Sequence, residues 1–374
     1  MKRILFVIND FVSGGAETQL FYLLDHLKNF KEYEITIMHL GVINPKFFET
    51  KINLLKDIEI IEFDNFRVSK TITSFLLSYF KLYKILKNKK FDVIIPYHRN
   101  TSIIFSFINF FLGKKCFFQE RGGEINLVSP PNFIMKKLLI LSNPIFIANN
   151  KSSAKLLANK FNIKLSQINV IYNGISDCVF NFNTIEIKEN YRIKHSKLVL
   201  TFVANYYPEK NHLQLIEALI LLNKKEQFNG VLLLVGNDPE GLKINQLKSF
   251  VKQNFIEDKV LFLENVYDVK PILSITDIGL FASKSEGLAN SLIEYIQFSI
   301  PSIVSRIPVF EEVLGEDYPY FFNISETESL VLLLEEMFEN SNRKQVGIEF
   351  NKNHYYKFKL ENMLNKFKSL IDEN

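Results

Sequence analysis

Two glutamates eight positions apart, Glu286 and Glu294, are the residues whose type and spacing first suggest chemistry in this chain. They lie in the stretch "SKSEGLANSLIEYIQFSIPSIVS", in which a short polar loop leads into an apolar, helix-like pattern. Paired carboxylates can act as general acid and general base, as in glycoside hydrolases. They can also hold the two ends of one ligand that lies across a helix start. Two ordinary surface glutamates are the structural alternative.

The local pattern favours a ligand that lies across the helix start. "DIGLFAS" predicts a strand, Glu286 follows it in the loop, and Asn290 is a candidate N-cap of the helix. The first turn exposes N–H groups and the positive end of the helix dipole, so a diphosphate can bind near Ser291 and Leu292. Glu294, about one turn into the helix, would accept hydrogen bonds from the two hydroxyls of a ribose, and Glu286 would reach a sugar.

A lysine and a glycine follow two other predicted strands. In "FVANYYPEKNHLQLIEAL", Lys210 falls in a strand-to-helix loop, and Asn211 is a candidate helix cap. A cation in this position suits a phosphate or diphosphate, although a solvated surface lysine is the alternative. Gly236 in "LLLVGNDPEG" is placed similarly, and a simple turn explains it equally well.

The first strand-to-helix turn, "VINDFVSGGAETQL", contains Gly14 and Gly15. Glycines there allow backbone N–H groups to approach an anion at the helix N-terminus. A tight turn that requires a positive φ is the alternative. Neither the G-x-G-x-x-G pattern of nicotinamide-binding turns nor a Walker phosphate loop is present, which argues against NAD-dependent chemistry.

The elements that must position these residues alternate between short apolar strands and longer helical patterns. Thirteen runs predict strands: "RILFVI", "YEITIMHL", "IEIIEF", "FDVIIPY", "KCFFQE", "PIFIANN", "INVIYNG", "LVLTFVANY", "GVLLLVGN", "KVLFLEN", "DIGLFAS", "PSIVS" and "YPYFF". Continuous apolar runs are typical of parallel strands that helices cover on both faces. The irregular stretch at 180–195 interrupts the series. We therefore predict an α/β chain of two doubly wound domains, 1–180 and 190–354, with ligands at the carboxyl ends of the strands and in the cleft between the domains.

Composition limits the classes of function. The chain has 374 residues, 47% of them hydrophobic and 23% charged, as in globular proteins. Only two cysteines, Cys116 and Cys178, are present, which predicts a reducing compartment without disulfides. The first apolar run is too short for a signal peptide, and none is long enough to span a membrane. These features predict a cytoplasmic location. Residues 1–180 carry a net charge of +10 and the remainder −6.

Taken in order, the motifs resemble the retaining glycosyltransferases of family 4, which have the GT-B fold of two facing Rossmann-like domains. The pieces that carry the resemblance are "GGAE", "VIYNGI", "PEKNHLQLIEA", "LLLVG", "ITDIGLFAS" and "SKSEGLANSLIEYIQFSIPSIVSRIPVFEEVL". The resemblance implies transfer from a nucleoside-diphosphate sugar with retained anomeric configuration and without a metal or cofactor. It also implies an acceptor-binding first domain, a donor-binding second domain, and a C-terminal helix, about 355–374, that packs back on the first domain.

The resemblance assigns roles residue by residue. Lys210 would neutralise the departing diphosphate and Glu286 would hold donor-sugar hydroxyls, which makes these two the catalytic candidates. Glu294 would hold the ribose. The donor-binding set implied by position is Gly14, Gly15, Asn205, Lys210, Gly236, Glu286, Gly287, Asn290, Ser291, Leu292 and Glu294.

The chain departs from the family pattern at three places. Asn205 follows Ala204 where the family commonly has an arginine that joins the lysine on the diphosphate. Ala289 replaces a frequent proline, and Tyr295 replaces the usual alanine after the second glutamate. The absent arginine puts the strength of diphosphate binding in question.

The acceptor side is predicted in the first domain. His98 and Arg99 end the run "IIPYHRN", and Arg121 ends "CFFQER". Strand ends are where ligands bind in such sheets, so His98 is a candidate hydrogen-bond partner and Arg121 a candidate phosphate contact. For His98, a structural role is the alternative.

The segment 71–90 reads as a basic amphipathic helix, with apolar residues at 72, 75, 76, 79, 80, 83 and 86 and lysines opposite. Such a helix can rest on anionic lipid, and a helix that faces the core is the alternative. No nucleic-acid partner is predicted.

We therefore expect a metal-independent glycosyltransferase that moves a sugar from a UDP-sugar to a glycan or lipid-linked glycan acceptor in bacterial surface polysaccharide assembly. The family resemblance, and no single residue, implies the pathway and the independence of a metal. A nucleotide-sugar epimerase of the same fold and a non-catalytic nucleotide-sugar-binding protein are the alternatives.

Overall fold

The computed structural model describes residues 1–11, 14–49, 51–63, 72–122, 133–176, 181–195, 197–226, 228–238, 241–339 and 341–373. Cys178, the predicted domain end at residue 180 and the first residue of the predicted 71–90 helix lie outside the described residues. The chain divides into two compact units, Met1–Gly174 with Leu360–Asn374, and Ile175–Lys359.

The first unit is built on a sheet of seven parallel strands. These are β1 (Lys2–Ile8), β2 (Tyr33–His39), β3 (Glu59–Glu62), β4 (Val93–Pro96), β5 (Lys115–Glu120), β6 (Ile145–Ala148) and β7 (Ile168–Val170). Their order in the sheet is β3-β2-β1-β4-β5-β6-β7. The order reverses between β1 and β4, and a doubly wound sheet binds ligands beyond the strand ends at such a switch point.

Helices cover both faces of this sheet. They are α1 (Gly15–Leu27), α2 (Pro45–Glu49), α3 (Ile52–Leu55), α4 (Ile72–Lys89), α5 (Arg99–Leu112), α6 (Phe133–Leu141) and α7 (Lys151–Phe161). Alternate residues of β1 enter two different cores: Ile4 and Phe6 pack with α1, whereas Leu5 and Val7 pack with α4 and α5. Burial on both faces explains the continuous apolar run of this strand.

The second unit repeats the arrangement with six parallel strands in the order β10-β9-β8-β11-β12-β13. The strands are β8 (Leu198–Val203), β9 (Gly230–Val235), β10 (Val260–Leu263), β11 (Ile278–Phe281), β12 (Ser302–Ser305) and β13 (Phe321–Phe322). The helices are α8 (Thr184–Asn190), α9 (His212–Lys224), α10 (Lys243–Gln253), α11 (Lys270–Ser274), α12 (Asn290–Gln297), α13 (Pro308–Leu314), α14 (Thr327–Glu339) and α15 (Ser341–Tyr355). Here the order reverses between β8 and β11.

The last helix, α16 (Leu360–Asp372), belongs to the first unit. Its apolar face buries Phe367 and Ile371 completely in the core that contains α1. The Tyr33 hydroxyl donates a hydrogen bond of 2.6 Å to Asp372, which fixes the end of the helix beside β2.

All thirteen predicted strands are confirmed, and the helix predicted at 71–90 is observed as α4. The alternative that its apolar residues all face the core holds only in part. The buried line of α4 runs through Ser78, Leu82 and Leu86, four residues apart, whereas Leu76 and Phe80 are exposed. The apolar pattern therefore does not mark one core-facing stripe, because some of the large apolar residues lie on the solvent side. No helix in the described part of the chain has both the length and the apolar character that a bilayer span requires.

Candidate active site

The switch point of the second sheet brings Lys210 next to Glu286. Lys210 follows β8 and Glu286 follows β11, and these strands are neighbours in the sheet. Lys210 Nζ lies 2.5 Å from Glu286 Oε1, and the two side chains are only 17% and 10% exposed. The hydroxyl of Ser283 donates to the same carboxylate oxygen at 2.7 Å. Two residues that the sequence marked separately thus form one shielded ion pair.

The loops that carry this pair are fixed to each other. The Lys284 N–H donates to the Glu209 carbonyl at 2.7 Å, which joins the loop after β11 to the loop after β8. The Ser305 hydroxyl donates to the Ser283 carbonyl at 2.6 Å, and both serines are fully buried. Neighbouring strand ends therefore hold Glu286 in place. Ser283, three residues before Glu286, had no assigned role in the sequence, although its spacing within the motif was visible.

The residue before α9 sets the direction of the loop that carries Lys210. Asn211 has a φ of 53°, in the left-handed region that asparagine tolerates better than most residues. Its side chain donates to Gln214 Oε1 at 2.8 Å and makes no capping hydrogen bond to the backbone. Asn211 thus occupies the predicted N-cap position but stabilises the turn through its backbone conformation.

A buried histidine supports the same loop without adding charge. The His212 ring stacks on Tyr206 at 4.4 Å, and its Nε2 lies 3.2 Å from the Ala204 carbonyl oxygen. Burial lowers the pKa of His212 from 6.5 to about 4. The imidazole is therefore neutral at pH 7, and it does not compete with Lys210 for an anion.

The helix that follows Glu286 begins one residue earlier than predicted. Asn290 is the first residue of α12 and Ala289 is its N-cap, so the prediction of Asn290 as the cap is wrong by one position. The Leu292 N–H already donates to the Ala289 carbonyl at 3.1 Å. The Ser291 N–H has no acceptor among the described residues, and it is the better placed of the two predicted phosphate donors. Their contact with phosphate stays a prediction.

Glu294 is a desolvated carboxyl group. No hydrogen bond to this carboxyl group is found within the described ranges. Burial raises its pKa from 4.5 to about 7, while the charge of Lys270 acts in the opposite direction. A carboxyl group in this state lacks the hydrogen-bond donors that its ionised form requires. Two ribose hydroxyls would supply such donors.

Tyr295, the unusual residue after Glu294, anchors α12 to the sheet. Its hydroxyl donates to the Thr201 carbonyl at 3.1 Å and accepts from the Val203 N–H at 3.2 Å. A Cβ at Gly279 would overlap the tyrosine ring, so a glycine on β11 makes room for it. The departure from the family pattern therefore has a structural explanation, and Tyr295 holds the helix that carries Glu294.

We expect Tyr295→Phe to lower the free energy of unfolding by about 1–3 kcal/mol, because it leaves a buried N–H and a buried carbonyl without their partner. Urea unfolding monitored by circular dichroism measures this change. Tyr207→Phe is the control, since Tyr207 is an exposed tyrosine of the same unit. Equal stability of the Tyr295 variant and the wild type would contradict the anchoring role.

Asn205, the residue in the place of the family arginine, is part of a structural chain of amides. Its Oδ1 accepts from the Asn237 N–H at 2.9 Å, and the Asn237 Oδ1 accepts from the Asn265 N–H at 2.8 Å. A Cβ at Gly236 would overlap the Ala204 carbonyl, so this glycine permits the close approach of two strand ends. Asn205 thus links neighbouring strand ends and supplies no positive charge.

The first unit also gathers polar residues at its switch point. Glu17 of α1 lies with its Oε1 3.1 Å from His98 Nε2, beyond the adjacent ends of β1 and β4. Gly14 has an extended backbone with a φ of −158°, so the predicted alternative of a turn with positive φ is wrong. A Cβ at Gly14 would overlap the Glu17 carboxylate, which is the reason that a glycine fits there. Gly15 begins α1.

The other two acceptor-side candidates differ in how their donors are used. Arg121 donates to Gln119 Oε1 and Asn173 Oδ1, at 2.8–3.0 Å, and its guanidinium stacks 4.1 Å above the Tyr97 ring. Its position indicates a structural role. Arg99 lies with its Nε 3.7 Å from Glu120 Oε2, and two of its buried nitrogens have no hydrogen-bond partner among the described residues. Arg99 therefore keeps donors for another group.

Metal ligands are not grouped in the described residues: no set of three or more His, Cys, Asp or Glu side chains there could hold an ion.

The structure brings together two pairs of candidate residues, Lys210 with Glu286 in the second unit and His98 with Glu17 in the first. The His98–Glu17 contact was not predicted, since Glu17 was noted only as part of the "GGAE" turn.

Comparison with known families decides the class of protein. Residues 13–177 match the model described as Glycosyltransferase Family 4, and residues 183–354 match the model described as Glycosyl transferases group 1. The two matches together take in most of the chain. The chain belongs to glycosyltransferase family 4. The predicted family and the predicted GT-B fold class, with two Rossmann-like domains, are confirmed.

Two curated relatives are similar to this family 4 glycosyltransferase. The N-acetyl-alpha-D-glucosaminyl L-malate synthase of Bacillus anthracis is 27% identical over 210 residues, which is 54% of this chain. The match spans 53% of that enzyme, so the chain covers about half the length of this relative. The Campylobacter jejuni enzyme named GalNAc-alpha-(1->4)-GalNAc-alpha-(1->3)-diNAcBac-PP-undecaprenol alpha-1,4-N-acetyl-D-galactosaminyltransferase is 28% identical over 312 residues, 82% of this chain and 79% of that enzyme.

Among solved structures, Alr3699/HepE of Anabaena, in complex with UDP and glucose, superposes with a TM-score of 0.80. The superposition covers 99% of both chains at 15% sequence identity. At this identity the likeness shows the fold alone.

Proposed function

We propose that the protein is a retaining, metal-independent glycosyltransferase that moves a sugar from a nucleoside-diphosphate sugar, a UDP-sugar, to a glycan or lipid-linked glycan. The observation that carries the proposal is the shielded pair of Lys210 and Glu286 at the switch point of the group 1 domain. Family membership, the lipid-linked acceptor named for the Campylobacter relative and the UDP bound to the Anabaena structure support it.

The donor half of the reaction follows from the chemistry of the second unit. Transfer breaks the bond between the anomeric carbon and the diphosphate, so negative charge grows on the leaving group. The ammonium of Lys210 and the free N–H at Ser291 would stabilise this charge, because preorganised donors cost no reorganisation when the bond breaks. Glu286 would accept hydrogen bonds from hydroxyls of the transferred sugar, and Glu294 from those of the ribose.

The acceptor half is assigned to the first unit. Arg99, which is ion-paired with Glu120, has two buried nitrogens without a hydrogen-bond partner among the described residues, and the buried Tyr97 hydroxyl likewise has none there. His98, held by Glu17, lies at the same strand end. These groups would position the acceptor hydroxyl that replaces the nucleoside diphosphate at the anomeric carbon. We further propose that the protein acts in the cytoplasm, in the assembly of bacterial surface polysaccharide.

We expect a UDP-sugar to raise the unfolding temperature, and this tests the donor assignment. A ligand at 100 times its dissociation constant stabilises a folded protein by about 2.7 kcal/mol. Thermal unfolding with UDP-, GDP- and ADP-sugars measures the effect, with uridine and inorganic diphosphate as separate controls for the two halves of the ligand. The absence of a shift with every nucleotide sugar would contradict the proposal.

Asn205 supports a second candidate, a non-catalytic nucleotide-sugar-binding protein. The position where the family commonly has an arginine holds an uncharged amide that is bonded to Asn237. Binding of UDP without hydrolysis, and without transfer to any acceptor, would favour this candidate. Conversion of the sugar without any acceptor would favour the alternative of an epimerase.

A further inference from the structure

A cavity of about 250 Å³ lies at the amino ends of β11 and β12 in the second unit. The loops that lead into these two strands form its wall together with the end of α11 and with α15, and its apolar side chains include Leu273, Phe298, Pro301 and Ile348. Lys210 and Glu286 follow the carboxyl ends of β8 and β11, at the opposite edge of the same sheet. The cavity is therefore separate from the candidate active site.

Two polar side chains of the cavity wall, Asp277 and Ser299, have hydrogen-bonding capacity left for a ligand. Asp277 Oδ2 accepts from the Val199 N–H at 2.8 Å, and the Asp277 N–H donates to the Val199 carbonyl at 2.8 Å, which fixes this residue to β8. Neither Asp277 Oδ1 nor the Ser299 hydroxyl has a hydrogen-bond partner among the described residues. The two groups can therefore bind a ligand that donates hydrogen bonds, and the hydroxyl can also donate one.

The opposite wall of the cavity is held in place by α15. The side-chain amide of Asn351 donates to the Ile300 carbonyl at 2.7 Å, directly after Ser299 in the chain. A Cβ at Gly347 would lie 2.9 Å from the Cβ of Pro301, so this glycine lets α15 pack closely against the loop before β12. The cavity is therefore formed by fixed elements, as is usual for a small-molecule site.

The chemistry of the wall selects a neutral ligand with several hydrogen-bond donors. One carboxylate lines the cavity, and no lysine, arginine or histidine is among its described lining residues, so a phosphate or a nucleotide would be repelled. The volume is smaller than that of pockets for drug-sized ligands, roughly 300–1,000 Å³, and suits a single ring. Sugar hydroxyls would donate to Asp277 and exchange hydrogen bonds with Ser299, while the C–H faces of the ring pack against the apolar side chains.

We propose that this cavity binds one neutral sugar unit of a glycan, away from the reacting groups. A glycan held there would stay close to the protein while another part of it reacts, because tethering raises the effective concentration of the tethered group. The inference goes beyond the proposed glycosyl transfer, since the bound sugar is not the one transferred and its binding is measured without turnover.

Saturation-transfer NMR with the full-length protein tests the proposal. The probes are the methyl glycosides of glucose, galactose, N-acetylglucosamine and N-acetylgalactosamine, and the methylammonium ion serves as a comparison because a carboxylate also attracts cations. We expect at least one glycoside to bind at millimolar concentration, both with and without UDP. Failure of every glycoside to bind would overturn the proposal, whether or not methylammonium binds.

Two substitutions locate the bound sugar. Ser299→Gly removes the hydroxyl at a residue with a φ of 56°, in the left-handed region that glycine adopts without strain, so the fold should be kept. Asp277→Asn removes the charge but keeps an oxygen for the Val199 N–H. Each variant should bind the glycoside about tenfold more weakly, because a hydrogen bond to the ligand is lost or weakened.

Glu226→Gly is the matched control for the glycine substitution, since Glu226 is an exposed residue of the same unit with a φ of 54°. It should bind glycosides like the wild type. Wild-type affinity in both Ser299→Gly and Asp277→Asn would overturn the proposal. So would loss of glycoside binding in Glu286→Ala, because the sugar would then lie in the candidate active site.

The test is independent of the proposed transfer. Thermal shifts with UDP-sugars are expected to be equal in Ser299→Gly and the wild type. Their absence in both proteins would contradict the transfer, whereas glycoside binding that Ser299→Gly weakens would still support the sugar site.

Discussion

Glu286→Ala is expected to lower the turnover number by about 10²- to 10³-fold, the usual loss when one preorganised charged or polar contact of a transition state is removed. The carboxylate is the partner of Lys210 at 2.5 Å, and it is further oriented by Ser283. Its removal would take a contact from the donor sugar and would leave the lysine without the group that holds it.

The fold should survive this change. The Lys210 side chain is 17% exposed, so its ammonium keeps access to water after the partner is lost. We expect the free energy of unfolding to fall by about 1–2 kcal/mol, less than for a fully buried pair. Steady-state transfer kinetics and urea unfolding on the same preparation separate loss of chemistry from loss of structure.

A matched ion pair provides the control. Lys225 and Glu335 lie 2.6 Å apart in the same unit, away from the strand ends that form the site. Glu335→Ala should leave the turnover number unchanged. Combining Glu286→Ala with Lys210→Ala should cost less than the product of the separate losses, because the two residues act together. Transfer at the wild-type rate by Glu286→Ala would show that the active site lies elsewhere.

The second large effect is expected for Glu294→Gln, which should weaken UDP binding on the order of 100-fold and stabilise the free protein at the same time. An ionised carboxylate accepts hydrogen bonds from two ribose hydroxyls more strongly than an amide does. In the free protein the same carboxyl group is desolvated, and glutamine avoids the cost of that charge.

The sign of the pH dependence follows from the raised pKa of Glu294, about 7 against 4.5 for an unperturbed glutamate. Because the folded-state pKa is the higher one, ionisation destabilises the folded protein. This penalty is absent below pH 4.5, grows between pH 4.5 and about 7, and stays constant above that. At pH 8 we expect Glu294→Gln to be more stable than the wild type by on the order of 3 kcal/mol.

The same pKa predicts how nucleotide binding responds to pH. Ribose hydroxyls favour the ionised carboxylate, so wild-type affinity for UDP should weaken as the pH falls below about 7. The affinity of Glu294→Gln should be independent of pH over this range. Calorimetric titration with UDP and thermal unfolding, both from pH 5.5 to 8.5 in steps of roughly half a unit, measure the two effects.

The control replaces an exposed glutamate of the same unit, Glu257→Gln, and should behave like the wild type in both measurements. Strong, pH-independent UDP binding by Glu294→Gln would show that the ribose binds elsewhere. A glutamine variant that is less stable than the wild type at pH 8 would contradict the desolvation of Glu294.

Local patterns in the sequence predicted the strands and the loop positions of Lys210 and Glu286 correctly, whereas the donor-binding roles of the site residues stay predictions. The apolar runs predicted all thirteen strands. Parallel strands that are buried on both faces are apolar at nearly every position, so each strand stands out as a continuous apolar run. The loop position of Glu286 follows from the end of "DIGLFAS". Helix starts were less certain: Asn290 proved to be the first helical residue, since an N-cap can be any residue with an extended backbone, and here it is Ala289.

By itself, the sequence determined the fold class, the family and the identities of the residues at the strand ends. These depend on hydrophobic periodicity and on motifs within a few residues of each other. Only the tertiary structure decided which of those residues meet. The reversal of strand order between β8 and β11 joins Lys210 to Glu286, and the reversal between β1 and β4 joins Glu17 to His98. The burial that raises the pKa of Glu294 and the solvent-facing side of α4 likewise depend on neighbours that are distant along the chain, which no local pattern records.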